Sequence, residues 1–197
     1  MLKNEIEIPE GLEAGFENGR LTVKGSKGEI SRGFRHPNVK LKIENSRIIL
    51  QSDMERKKTK AIMGTWNAHI NNMFTGVSKG WSGELKLVYS HFPVKMKTED
   101  KKLLIENFLG ERSPREVPVP EDLEVKVDKN TIIVSGTDKE RVGQLCARIE
   151  EITKVRGYDR RVFQDGIYIT RKPYSEEEDE GKEGTDEPQE EDKKEEA

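Results

Sequence analysis

The residues of this chain with the clearest chemistry are the cations that lie between positions 154 and 172. Six lysines and arginines stand there against two aspartates, and two tyrosines lie among them. Arginine binds phosphate through paired hydrogen bonds, and tyrosine can stack on a base or donate to a phosphate. The segment therefore indicates a polyanion-binding edge, with a solvated hairpin that carries a basic rim as the alternative. The cations are Lys154, Arg156, Arg160, Arg161, Arg171 and Lys172.

A second candidate is loop 110–116 (GERSPRE), which combines glycine and proline with two arginines and a hydroxyl group. Such a loop can reach into a groove of a partner, and its proline restricts the backbone. A plain connector is the alternative. A third basic group, within residues 56–60, is expected to be a solvated helix face. The candidate binding residues of the loop are Arg112, Ser113, Pro114 and Arg115.

The sequence offers no arrangement typical of an enzyme. His36, His69 and His91 are not at a metal-binding spacing, and no nucleophile elbow, phosphate-binding loop or pair of neighbouring cysteines occurs. Cys146 is the only cysteine, and its apolar neighbours predict a buried position. Residues 25–28 (GSKG) match the loop of KH domains, but that loop joins two helices, so an ordinary turn is the better interpretation. We therefore expect no metal, cofactor or small-molecule substrate.

Charge is divided unevenly along the chain. The formal net charge is −3, but residues 175–197 hold 13 acidic residues and three lysines. Residues 1–174 hold the other 25 acidic and 32 basic residues, a formal charge of +7 against −10 for the tail. A basic body suggests a polyanionic partner, and charge alone fits a solvated mixed-charge surface equally well. The tail is too polar to bury a core, so we expect it to be disordered. Without a signal peptide or a long apolar run, we expect a soluble, cytoplasmic protein with no membrane partner.

The elements that must position these cations occur twice. Residues 39–50 (VKLKIENSRIIL) align without gaps with residues 123–134 (LEVKVDKNTIIV), 84 positions later, and each is a strand, a polar turn and a second strand. A shorter match further upstream, between residues 21–26 and residues 103–108, has an offset of 82 positions. The duplication predicts an α+β fold of two domains, residues 1–80 and 81–174, each a small, mainly antiparallel β-sheet with a packed α-helix.

Each predicted helix follows a serine or threonine that stands three residues before a glutamate, the arrangement of a capping box. We expect helices over residues 54–75 and 138–155, capped by Ser52 and Thr137. Apolar residues three and four positions apart mark the core face of each helix: Ile62, Trp66, Ile70 and Met73 in the first, and Val142, Leu145, Ile149 and Ile152 in the second.

A final hairpin within residues 161–170, with its turn at Asp165 and Gly166, would then bring the cations of both its strands to one edge.

Longer motifs in both domains resemble the archaeal and eukaryotic branch of one family, the universal sixth protein of the large ribosomal subunit. The resemblance covers essentially residues 1–174. Its motifs are 69–77 (HINNMFxGV), 89–93 (YSHFP), 105–111 (IENFLGE) and 162–172 (VFQDGIYITRK).

The resemblance implies two duplicated α+β domains and binding to large-subunit rRNA, mainly through the second domain. It implies that the GERSPRE loop and the six cations between residues 154 and 172 face the RNA. It also implies a place at the base of the acidic stalk, near the sarcin–ricin loop, with neighbouring ribosomal proteins and translation elongation factors as partners. A free RNA-binding regulator and a protein-interaction module are the alternatives, and the acidic tail has no role that the resemblance implies.

Overall fold

The computed structural model describes residues 2–159 and 161–175. Arg160 and residues 176–197 lie outside the described residues, so the prediction of a disordered acidic tail falls on residues that the structure does not describe. Ser175, which we assigned to the tail, is buried at the end of the last strand.

In the first domain, two three-stranded sheets are followed by one long helix within the described residues. The elements are β1 (Leu2–Glu7), β2 (Glu13–Glu17), β3 (Arg20–Gly25), β4 (Gly28–Gly33), β5 (Lys40–Glu44), β6 (Arg47–Ser52) and α1 (Lys57–Ser78). The second domain continues directly from α1. Its elements are β7 (Trp81–Val88), β8 (Lys95–Glu99), β9 (Lys102–Glu106), a 3-10 turn (Phe108–Gly110), β10 (Arg115–Pro118), β11 (Leu123–Asp128), β12 (Thr131–Gly136), α2 (Lys139–Ile152) and β13 (Gly166–Tyr174).

The duplication seen in the sequence is also present in the strand order. Strands β1-β6-β5 of the first domain correspond to β7-β12-β11 of the second, and β2-β3-β4 correspond to β8-β9-β10. These neighbouring strands pair antiparallel in both domains. The second domain departs from the repeat in one respect, because β13 adds a fourth strand on the free side of β7. This added strand carries part of the predicted basic edge.

The tight hairpins form where the sequence supplies residues that tolerate a left-handed backbone. Asn18 and Gly19 have φ angles of 51° and 76°, as a two-residue turn of type I′ between β2 and β3 requires. The GSKG sequence also forms a two-residue hairpin turn, because Gly25 pairs with Gly28 across β3 and β4, but its central residues Ser26 and Lys27 do not have positive φ angles. The interpretation of this segment as an ordinary turn is therefore confirmed.

Each domain buries the apolar face of its helix against its sheets. In the first core, Ile70 and Met73 of α1 are buried, whereas Ile62 and Trp66 of the predicted face are only partly covered. In the second core, the buried helix residues are Val142, Leu145, Cys146 and Ile149. Burial raises the pKa of the Cys146 thiol to about 11, so this cysteine is an inert core residue as predicted.

The two predicted capping boxes are wrong. Ser52 pairs with Leu2 as the last residue of β6, so it is held in the sheet and cannot cap a helix that begins at Lys57. In α2 the cap is one residue later than predicted, because the Asp138 carboxylate accepts a hydrogen bond from the Glu140 N–H at 2.9 Å. Capping depends on where the preceding strand ends, and strand pairing decides that position.

The predicted final hairpin does not form, because β13 pairs with β7 and not with residues 161–164. Asp165, expected at the apex of the turn, is buried and accepts a hydrogen bond from the N–H of Ser90 at 2.9 Å. Helix α2 also ends three residues early, at Ile152. The hydroxyl of Thr153 accepts a hydrogen bond from the N–H of Ile167 at 3.0 Å, which ties the helix end to the start of β13.

The domains are in contact at the end of α1. The Trp81 indole N–H donates to the carbonyl oxygen of Asn72 at 3.1 Å, and Arg32 of the first domain pairs with Glu140 of the second at 2.8 Å. Gly76 lies so close to the carbonyl oxygen of Thr137 that no side chain fits between them. These contacts connect the first domain to α2, whose opposite end carries the candidate site.

Candidate nucleic-acid interface

The GERSPRE loop is held against the end of α2 by one side chain. The Arg115 guanidinium donates to the main-chain carbonyl oxygen of Ile152 and to both carboxylate oxygens of Glu111, at 2.8 and 2.5 Å, and it lies over the Phe108 ring at 4.3 Å from the centroid. These hydrogen bonds hold the pKa of Glu111 below its usual range. The loop is therefore not a loose connector, and Arg115 has an intramolecular role that its sequence position did not reveal.

The hydrogen bond from Arg115 to Ile152 connects the GERSPRE loop to the end of α2, where the second group of predicted cations begins. Arg112, Ser113 and Pro114 are exposed in the loop, and Lys154 and Arg156 are exposed just beyond the helix end that the loop touches. The carbonyl groups at the end of a helix carry partial negative charge, which favours cations at this position. The Arg115–Ile152 hydrogen bond places the loop beside the helix end, and we call Arg112, Ser113, Pro114, Lys154 and Arg156 together the basic surface.

Arg161 belongs to the same region, because it follows the helix end in a compact turn. Its N–H donates to the Asp159 carboxylate at 3.0 Å, and the N–H of Phe163 donates to the carbonyl oxygen of Asp159 at 2.9 Å. The Arg161 side chain is exposed. Arg160, between them, lies outside the described residues, so its contact with RNA stays a prediction.

Arg171 and Lys172 are placed differently from the sequence expectation. They lie in the second half of β13, five and six residues from its start at Gly166, which is roughly 16 Å or more along an extended strand. Arg171 lies 3.7 Å from the carboxylate of Glu84 on the neighbouring strand β7. Of the five predicted cations that the structure describes, Lys154, Arg156 and Arg161 thus follow the helix end, and Arg171 and Lys172 lie further along β13.

Sequence reasoning missed a stack of three aromatic rings beside the helix end. The ring of His91 stacks on Phe163 at a centroid distance of 4.3 Å, and Tyr158 packs on Phe163 at 4.8 Å. The histidine is distant in sequence from the other two rings, and the expected hairpin assigned Phe163 to a strand. The YSHFP motif was the available signal, since its histidine is one of the stacked rings.

The stack is anchored by a buried carboxylate. Burial alone would raise the pKa of Asp165, but hydrogen bonds from the N–H and hydroxyl of Ser90 and from His91 outweigh that effect and hold it below its usual range. The hydroxyl bond is 3.0 Å long, and His91 Nδ1 lies 3.3 Å from the carboxylate. His91 is thereby fixed by a charged partner that is only 1% exposed.

A groove of about 810 Å³ lies between the end of α2 and the start of β13. Phe163 and Tyr168 line one part of it, Lys154 another, and Glu150 and Glu151 the helix side. The Tyr168 hydroxyl donates to the carbonyl oxygen of Gln164 at 2.9 Å, so this tyrosine is held by its own loop. The groove thus has an aromatic end that is close to a cation.

Other kinds of site are not found in the part of the chain that the structure describes. No group of three or more histidine, cysteine, aspartate or glutamate side chains is placed to hold a metal ion. No helix among residues 2–159 and 161–175 is long and apolar enough to cross a membrane.

The fold defines the class: an α+β protein made of two copies of one unit. Residues 8–80 and 82–166 match the model of the ribosomal protein L6 family, and the chain belongs to that family. The uL6 protein of the large ribosomal subunit of Methanothrix thermoacetophila is 45% identical over 85% of this chain and 95% of its own length. That of Methanobrevibacter smithii is also 45% identical, over 87% and 96%. That of Haloarcula marismortui is 41% identical, over 88% and 97%.

Membership confirms the resemblance that the motifs indicated, including its archaeal type. It also confirms the α+β fold of two duplicated domains. Proteins of this family are structural components of the ribosome, so the expectation of a protein without enzymatic activity is confirmed as well.

Proposed function

We propose that this protein binds large-subunit rRNA through the basic surface at the end of α2 and stabilises the local fold of that RNA. As a member of the ribosomal protein L6 family with close archaeal relatives, it is a protein of the large ribosomal subunit and works in the cytoplasm. We assign residues 81–174 as the main RNA-binding domain and residues 1–80 as the supporting repeat.

The observation that carries this proposal is the hydrogen bond from Arg115 to the Ile152 carbonyl oxygen. It places the loop that carries the exposed Arg112 beside the helix end that the exposed Lys154 and Arg156 follow. Double-stranded RNA is recognised mainly by shape and by contacts to phosphate and the 2′-hydroxyl group. A rigid surface that carries cations on two adjacent segments suits two RNA backbones that pack closely. We therefore propose that reading of base sequence is secondary.

The location within the subunit follows from the family resemblance and is part of the proposal. We place the protein at the base of the stalk, near the sarcin–ricin loop and the region where translation factors bind. Neighbouring ribosomal proteins at the stalk base are proposed partners, and contact with elongation factors is proposed as a consequence of that location. Arg171 and Lys172 would contact a different part of the RNA from the helix-end cations.

The test is binding of the full chain to transcribed large-subunit rRNA at several salt concentrations. The logarithm of the binding constant K falls linearly as the logarithm of the salt concentration rises, and replacing Arg112, Lys154 and Arg156 together by alanine should make this slope less negative. The expected change is roughly 0.7–0.9 for each phosphate that the variant no longer neutralises. A control variant removes the same number of exposed cations from the first domain, at Lys40, Lys42 and Lys60. Equal slopes for the two variants would contradict the assigned surface.

Sedimentation of the tagged chain from a lysate decides between the proposal and its alternatives. Co-sedimentation with large subunits that disappears after RNase treatment supports rRNA binding. Protein that remains at the top of the gradient would indicate a free RNA-binding regulator. Association with a protein partner that survives RNase treatment would indicate a protein-interaction module.

A further inference from the structure

The aromatic stack beside the helix end has a feature that burial of a core does not explain. Its outermost ring, Tyr158, is 52% exposed, and Val162 in the same turn is 59% exposed. Phe163 beneath them is only partly covered. Large apolar side chains that stay exposed together mark a binding surface more often than isolated ones do.

The exposed ring of Tyr158 is supported by two further rings and by the buried carboxylate of Asp165. Asp165 is buried, accepts hydrogen bonds from Ser90, and lies 3.3 Å from the Nδ1 atom of His91. His91 stacks on Phe163 with an interplanar angle of 24°, and Phe163 supports Tyr158 from the next position in the stack. Because each ring is positioned by the one beneath it, Tyr158 loses little conformational freedom when a ligand stacks on it.

The surroundings of Tyr158 select the chemistry of that ligand. Arg156 precedes it by two residues, Arg161 follows it by three, and both side chains are exposed. Lys154 and Phe163 line the same groove at the helix end. An exposed aromatic ring flanked by cations matches a base and its adjoining phosphates, since every base has a stacking face and every nucleotide has a negative backbone.

We propose that Tyr158 stacks on an unpaired base of RNA while Arg156, Arg161 and Lys154 hold the phosphates that flank it. This inference rests on the proposed rRNA binding and adds to it a specific class of ligand, a single-stranded nucleotide extruded from its helix. The helix-end cations thus set affinity by charge, and Tyr158 adds stacking that does not depend on charge.

The test uses the full chain and transcribed large-subunit rRNA, with Tyr158→Leu, Tyr158→Phe and a control, Ile133→Ala. Ile133 is exposed on β12, on the face of the sheet opposite the buried Ile132 and Val134, and it belongs to neither the ring stack nor the helix-end cations. Loss of one base stack lowers affinity by about tenfold or more. We expect that loss for Tyr158→Leu with an unchanged salt slope, and affinities near that of the original chain for Tyr158→Phe and Ile133→Ala.

A second readout does not depend on affinity. Ultraviolet irradiation of the complex cross-links RNA bases to the side chains that they contact. Trypsin then cleaves the chain after Arg156 and after Arg160. The resulting peptide, residues 157–160, contains Tyr158 as its only aromatic residue. We expect this peptide to carry the cross-linked nucleotide in the original chain and not in Tyr158→Leu.

The outcomes separate the two proposals. Equal affinity of Tyr158→Leu and the original chain, with no cross-link at residues 157–160, would overturn the stacking inference and leave rRNA binding intact. An original chain that binds large-subunit rRNA no better than an unrelated RNA would overturn the proposed function and the inference together.

Discussion

The side chain of Arg115 donates a hydrogen bond to the main-chain carbonyl oxygen of Ile152, 37 positions later in the chain. Through this bond an exposed loop and the end of a helix become one surface. The same guanidinium holds Glu111 with two hydrogen bonds and covers the ring of Phe108. The arginine that the sequence analysis assigned to RNA therefore also serves the fold that presents its neighbours to RNA.

Arg115 and Arg112 are expected to differ in what their removal does. Arg115→Ala removes bonds to a carboxylate and to a carbonyl group, and we expect it to lower the free energy of unfolding by about 1–3 kcal/mol. Arg112→Ala removes an exposed side chain and should change that free energy by less than about 0.5 kcal/mol. Urea unfolding of both variants checks this. Equal stabilities would mean that the Arg115 bonds contribute nothing measurable.

Asp165 should make stability depend on pH in the acid range. Its folded-state pKa lies below its ordinary value, so the folded state binds protons less readily than the unfolded state. The resulting stabilisation is present above the unfolded pKa of about 3.9 and is lost as the pH falls through the folded pKa.

Asp165→Asn should therefore be less stable than the original chain near neutral pH, and the difference should shrink as the pH falls below about 4. Thermal unfolding followed at several pH values measures it. Asp128→Asn, at an exposed strand end, is the matched control and should show no such convergence. A stability difference that stays constant down to the lowest pH would rule out the carboxylate as its source.

Two glycines of α1 provide a matched test of the domain contact. A side chain at Gly76 would collide with the carbonyl oxygen of Thr137 in the second domain, whereas Gly64 has open space around it. Gly76→Ala should destabilise the protein by about 1–3 kcal/mol. Gly64→Ala should stabilise it by about 0.5–1 kcal/mol, because alanine is the better helix former. Calorimetry measures the stability of both variants. If Gly76→Ala unfolds with the same free energy as the original chain, the domains can shift apart without cost.

Removal of residues 176–197 tests a role for the acidic tail. The tail carries a formal charge of −10 against +7 for the body, so it can compete with RNA for the basic surface. The shortened chain should bind an unrelated RNA several-fold more tightly at low salt, and the difference should fade as salt screens the charges. A chain with a glycine and serine tail of equal length is the control. Unchanged binding would leave the tail without a shielding role.

The sequence by itself determined the features that depend on short range. Alternation of apolar and polar residues around a polar turn was enough to predict the two duplicated hairpins within residues 39–50 and 123–134. Helical spacing predicted that Ile70 and Ile149 would be buried. Motif content predicted the family. The hairpins and the helix faces depend on residues that are close in sequence, where the period of the backbone fixes which side chains share a face.

Only the tertiary structure decided the features that depend on long-range partners. Ser52 could not cap α1 because strand pairing with Leu2 holds it in β6. Asp165 does not form a turn because its carboxylate is bonded to Ser90, 75 positions away. Arg171 and Lys172 are separated from the helix-end cations because β13 pairs with β7. In each case contacts between distant segments outweigh a local preference, because strand pairing, or a buried carboxylate with several donors, makes more hydrogen bonds than a single turn or cap.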